Sequence, residues 1–324
     1  KRMVDLEKVC LLNARIGKLH AELVSDFLKR CSTAPEDVDC IASHGQTIYH
    51  APRRLHRNPE YPDATLQIGD GDHLAVGTGI ITLSDFRQKH LAGGGEGAPL
   101  ALYGDYLMFT SPGEDRVLLN MGGISKFTFL PRDGNGERII SIDVGPGNTL
   151  IDALTQKYFG FPFDKDGLIA RSGKVNESLL RAMVSHSFFR ESLPRTTGPE
   201  LFNLAFVESA AAAVAAESLT PADMVATVTM LTARTIVNEL EKQYPGVALA
   251  IYASGGGAHN PVIMEEIGRL MPHCTLKRSD DLGISGDAKE AVLFAVLANE
   301  TLCGSVVHIG SAPAVTMGKI SLPV

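Results

Sequence analysis

The chain has 324 residues and a formal charge of −7, with 44% hydrophobic and 21% charged side chains. That length suits two domains or two lobes around a cleft. The acidic balance, without any Lys/Arg run, excludes a nucleic-acid surface, so a bound phosphate must be held mainly by backbone.

Cys10, Cys31, Cys40, Cys274 and Cys303 are an odd, scattered set without metal spacing, as expected of reduced thiols in a cytoplasmic protein. No apolar run of membrane length occurs, so no membrane partner is expected. In chain order, Leu6, Val9, Ile16, Leu19, Leu23 and Phe27 recur at helical spacing and predict a helix over 6–30. Pro35-Glu36-Asp37 begins another helical turn. Cys40-Ile41-Ala42 reads as a short buried strand that delivers Ser43-His44-Gly45-Gln46-Thr47. A polar cluster at the end of an apolar strand is where open α/β sheets place ligand sites. A lone His there is as often a hydrogen-bonded structural residue.

Residues 51–63 carry three prolines and no periodicity, and read as a surface loop. A strand over 65–68 runs into Gly69-Asp70; 72–76 reads as helix and 79–83 as strand. Asp85-Phe86-Arg87 then precedes the loop Gly93-Gly94-Gly95-Glu96-Gly97-Ala98-Pro99-Leu100, with a helix over 98–109. Glycine at this density suits close backbone approach to a ligand, a hinge or a linker. Arg87 suits a carboxylate or other anion.

The chain is organised around residues 116–152. Three apolar runs, VLLNM, KFTFLP and RIISIDV, are separated by Gly122-Gly123 and by Asp133-Gly134-Asn135-Gly136. They predict a three-strand meander that enters Gly145-Pro146-Gly147-Asn148 and a helix over 148–159. Two glycine turns therefore lie at adjacent strand ends, beside Asn120 and Asp143. Amides free of side chains approach phosphate closely, and a helix N-terminus adds partial positive charge. Phosphate would repel a carboxylate, which leaves Asp143 for chemistry, for a metal, or merely to cap the next helix.

Downstream, helices are expected over 176–189, 198–217 and from Pro221 to Gln243, where Pro opens the first turn. A buried strand over 247–253 ends in Ser254-Gly255-Gly256-Gly257-Ala258-His259-Asn260, and Pro261 starts the next helix. Strand, glycine loop, helix is a nucleotide-binding arrangement, although the run is neither a Walker nor a dinucleotide fingerprint. An apolar helix over 287–299 carries Glu290 near its start. The order of elements in the second half resembles a ribonuclease-H-like lobe of the actin and sugar-kinase superfamily. The expected fold is α/β, with two such lobes around a central cleft. The expected N-terminal lobe is 1–115, and the C-terminal lobe 116–324, whose last segment returns to the first lobe. The first lobe lacks its opening hairpin, a unit of roughly 40 to 60 residues.

The motifs SHGQT (43–47), LQIGD (66–70), DFR (85–87), GGxGAPL (94–100), LNxGGI (119–124), DVGPGN (143–148), TGxELFN (197–203) and SGGGAHN (254–260) occur in one order. Together they closely resemble the anhydro-N-acetylmuramic acid kinase family over nearly the whole chain. That resemblance implies transfer of the ATP γ-phosphoryl group, with Mg²⁺, to O6 of 1,6-anhydro-N-acetylmuramic acid while water opens the anhydro bridge. It implies Asp143 as base and Glu290 in the sugar site. His44, Gln46, Asp70, Arg87 and Glu96 would meet the sugar, Arg87 at its lactyl carboxylate. Asn120, Gly122, Gly123, Gly145, Gly147, Asn148, Gly255, Gly256, Gly257 and Asn260 would hold ATP. No protein metal site is implied, Mg²⁺ being carried by ATP, and the family suggests a homodimer.

Three departures bear on this. The family's opening phosphate loop, GTSxDGxD, is absent from these residues, which predicts no turnover from this exact chain. His90 stands where the family usually has Asp, and Asp105 where it often has His, a swap that would preserve a hydrogen bond between them. Glu96 replaces Gln, so either its pKa is raised or a cation offsets it. A non-catalytic sugar- or nucleotide-binding relative is the alternative function. A third reading, a hydrolase with metal on Asp70, Asp72 and His73, competes with those residues simply starting a helix.

Overall fold

The computed structural model describes residues 3–193, 195–214, 219–285, 288–310 and 312–323. In order, the chain forms α1 (Leu6–Arg30), β1 (Ile41–Ser43), β2 (Gln46–Ala51), α2 (Arg53–His56), β3 (Ala64–Ile68), α3 (Gly71–Thr78), β4 (Thr82–Ser84), α4 (Arg87–Ala92) and α5 (Ala101–Phe109). There follow β5 (Arg116–Met121), β6 (Ile124–Leu130), β7 (Ile140–Pro146), α6 (Thr149–Phe159), α7 (Leu168–Ser172), α8 (Glu177–Val184), α9 (Leu204–Ala213) and α10 (Pro221–Gln243). The last elements are β8 (Ala250–Ser254), α11 (Pro261–Leu270), β9 (Thr275–Arg278), α12 (Lys289–Leu302) and β10 (Lys319–Ser321). Two compact units result, residues 1–108 with 288–324, and residues 109–287.

In the first unit, β4 lies between β1, parallel to it, and β10, antiparallel to it; β2 and β3 form a separate hairpin. Asp5 caps α1 by accepting the Glu7 and Lys8 amides, and Lys29 and Arg30 occupy its last turn. The helix spans the expected residues but packs differently. Leu6, Leu19, Leu23 and Phe27 are exposed, and Gly17 and Ala21 are buried. A Cβ on Gly17 would lie 2.6 Å from Asp70 O, and one on Gly77 would lie 2.7 Å from Ala21 Cβ. Small residues thus let α1 approach α3 closely. Strand β2 has no sequence signature because it is mostly exposed and, among the described residues, pairs only with β3, so no buried face imposes alternation.

The second unit is built on a five-stranded sheet in the order β7-β6-β5-β8-β9. β5, β6 and β7 form the antiparallel meander, and β8 and β9 extend it in parallel from β5. This is the ribonuclease-H-like order anticipated from the sequence. Leu119, Phe127, Val144, Ile236 and Ile251 belong to one continuous core. Each such side chain contributes about 1.5–3 kcal/mol when fully buried. A capping box between Thr220 and Asp223 starts α10, with Pro221 in the first turn.

The helix expected over 198–217 is shorter, because Asn203 caps α9 and residues 198–203 form turns; residues 215–217 lie outside the described residues. Likewise the 176–189 helix stops at Val184, and a short 3-10 turn, Ser187–Arg190, follows. Asp287, the expected start of α12, also lies outside the described residues. Among the described residues, no helix is long and apolar enough to cross a membrane.

Candidate active site

Three backbone bends of the second unit press against one another. The Gly123 carbonyl accepts the Gly147 amide (2.8 Å), the Thr149 amide (3.2 Å) and the Thr149 hydroxyl (2.7 Å), and the Gly122 carbonyl accepts the Asn148 amide (2.8 Å). A Cβ on Gly147 would sit 2.2 Å from Gly122 O, and one on Gly145 would sit 2.9 Å from the Phe189 ring. Cβ atoms on Gly255 and Gly257 would come within 2.7 Å of Met121, and one on Gly256 within 2.9 Å of Asn148 Nδ2. Asn120 Oδ1 would be 2.8 Å from that same Gly255 Cβ. Gly147 and Gly255 are required because backbone meets backbone, whereas at Gly145, Gly256 and Gly257 the nearest neighbours are side chains. Gly122 is different: a Cβ there would meet nothing closer than 3.7 Å, so packing within the protein does not explain it.

The Thr149 amide, the first of α6, is taken by the Gly123 carbonyl, so the start of that helix also joins the two turns.

Asp143 lies within β7 and does not cap the following helix. Its Oδ2 accepts the Thr197 amide at 3.0 Å. Its main-chain carbonyl accepts Arg195 Nε at 3.3 Å, and the Val144 carbonyl accepts Arg195 Nη2 at 3.4 Å. The buried Arg195 guanidinium pairs with Glu239 of α10 at 2.6 Å and lies over the Phe188 ring. Thr197 Oγ1 is buried without a hydrogen-bond partner among the described residues.

Beside the bends is a cavity of about 470 Å³ whose lining includes Asn148, Asp152, Phe163, Lys165, Gly256 and His259. Burial pushes the Asp152 carboxyl up to about 6. Asn260 borders the same cavity, but its Oδ1 is used to accept the Val262 amide and cap α11.

The first unit gathers charged side chains instead. His44 follows β1, Arg87 begins α4 and Glu290 lies in the first turn of α12. His44 Nδ1 donates to Gly45 O at 3.1 Å and its Nε2 accepts Arg87 Nε at 2.9 Å, with the ring against Phe294. Burial, then the Arg87 charge, lower the His44 pKa, which keeps the ring neutral; Gly45 O and Glu290 act in the opposite sense. Glu290 likewise opposes the burial that lowers the Arg87 pKa, so the three side chains are electrostatically joined. Arg87 Nη1 also donates to Gly97 O at 2.8 Å, and His90 Nδ1 accepts the Gly97 amide at 2.9 Å. The glycine loop 93–97 is therefore clamped at Gly97 from both sides. A polar cavity of about 370 Å³ lies at His44, Gly45, Asp70, Asp85 and Lys319.

The remaining predicted residues have other engagements. Gln46 is exposed on β2, and it is Gln67 that lines the polar cavity. Asp70 caps α3 by accepting the Asp72 and His73 amides, which supports the helix-start reading of that trio. Glu96 pairs with Arg54 at 3.3 Å, the offsetting cation anticipated from its charge. The proposed exchange between His90 and Asp105 fails. Both His90 ring nitrogens are engaged, by the Gly97 amide and by Tyr103 Oη at 3.0 Å, and Asp105 pairs with Lys289 at 2.6 Å. Among the described residues, no group of three or more His, Cys, Asp or Glu side chains is arranged to hold a metal.

Sequence reasoning did not single out Arg195, Glu239 or Asp152. A signal for Glu239 existed: it falls at helical spacing on the face of α10 that buries Val225, Val228, Thr232 and Ile236. A lone carboxylate on an otherwise uncharged buried face requires a buried partner.

The family model for anhydro-N-acetylmuramic acid kinase matches residues 2–321. The chain is 51% identical to the anhydro-N-acetylmuramic acid kinase of Pseudoalteromonas atlantica, covering 100% of this chain and 82% of that protein. It is 47% identical to the enzyme of that name from Pseudoalteromonas translucida, over 99% of this chain and 82% of the relative. With that of Caldanaerobacter subterraneus it shares 40% identity, over 98% and 82%. The chain belongs to the anhydro-N-acetylmuramic acid kinase family.

Proposed function

We propose that this chain is an ATP-dependent kinase that converts 1,6-anhydro-N-acetylmuramic acid to N-acetylmuramic acid 6-phosphate. In this reaction the γ-phosphoryl group passes from ATP to the sugar's O6, and water adds at C1 as the C1–O6 bridge breaks. The proton lost by water goes to Asp143, acting as general base. Thr197 Oγ1, buried and unpartnered among the described residues, gives that water a second partner.

The observation that carries this reading is the mutual packing of the Gly122-Gly123, Gly145–Asn148 and Gly255–Gly257 bends beside a cavity large enough for a nucleoside. The Gly122 and Gly123 amides would hold phosphate, and Gly122 lacks a side chain because the ligand comes close. Mg²⁺ would arrive on the phosphates of ATP, where it offsets their charge during transfer. The nucleoside would fill the cavity beside Asp152, whose carboxyl can accept from a ribose hydroxyl.

In the first unit Arg87 would hold the sugar's lactyl carboxylate, oriented by its bond to His44, with Glu290 beside it. A cytoplasmic homodimer is the expected setting. Mass spectrometry of the full-length protein with the anhydrosugar, ATP and Mg²⁺ tests the reading. A product carrying one phosphoryl group and one added water supports it; nucleotide binding with no such product would favour the non-catalytic alternative.

A further inference from the structure

The proposed base is held by a buried ion pair that none of its own chemistry explains. Arg195 and Glu239 have side chains only 2% and 5% exposed, and they meet at 2.6 Å. Taking both charges out of water costs several kcal/mol per ion, and a well-packed apolar pair is often equally stable or better. Stability is therefore a poor reason for this pair, and what it touches gives a better one. The guanidinium donates to the main-chain carbonyls of Asp143 and Val144, at 3.3 and 3.4 Å. Two residues on, the Thr197 amide donates to the Asp143 carboxylate at 3.0 Å. A strap of three residues thus fixes both the backbone and the side chain of one aspartate. Glu239 is itself fixed, because its other oxygen accepts Gln243 Nε2 at 2.8 Å. The same helix holds the glycine turn, since Thr232 Oγ1 donates to Gly147 O at 2.9 Å.

We propose that Arg195, anchored by Glu239, is a positioning residue that sets the Asp143 carboxylate in register with the phosphate-binding turns. The proposal rests on Asp143 being the base. The guanidinium suits the task because it reaches three carbonyls, those of Asp143, Val144 and, at 3.5 Å, Phe189, and a carboxylate in fixed directions, which the compact ammonium of lysine does not.

The test compares wild type, Arg195→Lys, the double variant Arg195→Met with Glu239→Met, and Asp143→Asn, in steady-state kinetics and amide exchange. In the double variant, kcat is expected to fall about 100-fold, a loss of the size a small misplacement causes. KM for ATP and sugar should stay within about threefold, and the Thr197 amide should exchange faster at an unchanged Tm. Arg195→Lys keeps the buried charge, and so guards against loss of folding in the double variant. It should lose at least about tenfold in kcat with the same KM values. A folded double variant, or Arg195→Lys, with kcat within about threefold of wild type would overturn the proposal. Normal turnover in Asp143→Asn would instead overturn the base assignment.

Discussion

Under the proposed function, the two units would hold an anion in different ways. The second presents backbone: glycine bends that exclude Cβ atoms from one another, with one buried ion pair behind them. The first presents side chains: a neutral His44, the Arg87 guanidinium and the Glu290 carboxylate, electrostatically joined around one loop. The contrast follows from charge. A sequence of formal charge −7 without a basic run offers no string of cations to a triphosphate, and backbone amides need none. A single carboxylate on a sugar is within the reach of one arginine.

The contrast predicts which substitutions act on chemistry, on affinity and on stability. The largest effect belongs to Asp143→Asn, expected to lower kcat by roughly 10³-fold or more while ATP affinity stays within a few-fold, read by rapid-quench kinetics and calorimetric titration. Next comes Arg87→Met, which should raise KM for the sugar by about 10–100-fold and leave KM for ATP unchanged.

The glycines divide within one unit. Gly147→Ala drives a Cβ to 2.2 Å from a backbone oxygen and should cost about 1–3 kcal/mol in urea unfolding. Gly122→Ala has room within the protein, so its Tm should match wild type while ATP affinity falls by about tenfold. If both variants lost stability alike, the assignment of Gly122 to ligand would fail.

The smallest effect is a pH dependence at Asp152. Its carboxyl is raised from 3.8 to about 6 in the folded state, so the neutral form is favoured there. The penalty for ionising it grows as pH rises from about 4 to about 6 and is complete above that. Asp152→Asn should therefore raise the Tm of the unliganded protein by a degree or two at pH 7–8, a gain that vanishes below about pH 4. ATP affinity should fall in the same variant, the opposite sign from stability.

Much of the second unit was legible because its constraints are local. Apolar runs of strand length bounded by glycine turns dictate a meander, and Pro221 with a capping pair dictates α10. The meeting of the Gly122-Gly123 and Gly145–Asn148 bends was legible for the same reason, as adjacent strand ends, whereas the Gly255–Gly257 bend was read separately, from the order strand, glycine loop, helix. What stayed hidden depends on contacts distant in sequence. Exposed β2 has no inner face to pattern it, β9 at the sheet edge is only four residues long, and α1 packs through Gly17 and Ala21, with Leu6, Leu19 and Leu23 left in water. Arg195 gave no signal because its partners, Asp143 and Glu239, lie 52 and 44 residues away. The exchange imagined between His90 and Asp105 failed because sequence shows complementary residues but not that the loop amide of Gly97 already occupies the imidazole.

The most direct test is a crystal structure of the full chain with Mg²⁺ and a non-hydrolysable ATP analogue. Phosphate oxygens about 3 Å from the Gly122 and Gly123 amides, with the ribose beside Asp152, are the predicted result. Phosphates held by lysine and arginine side chains away from these bends would contradict it.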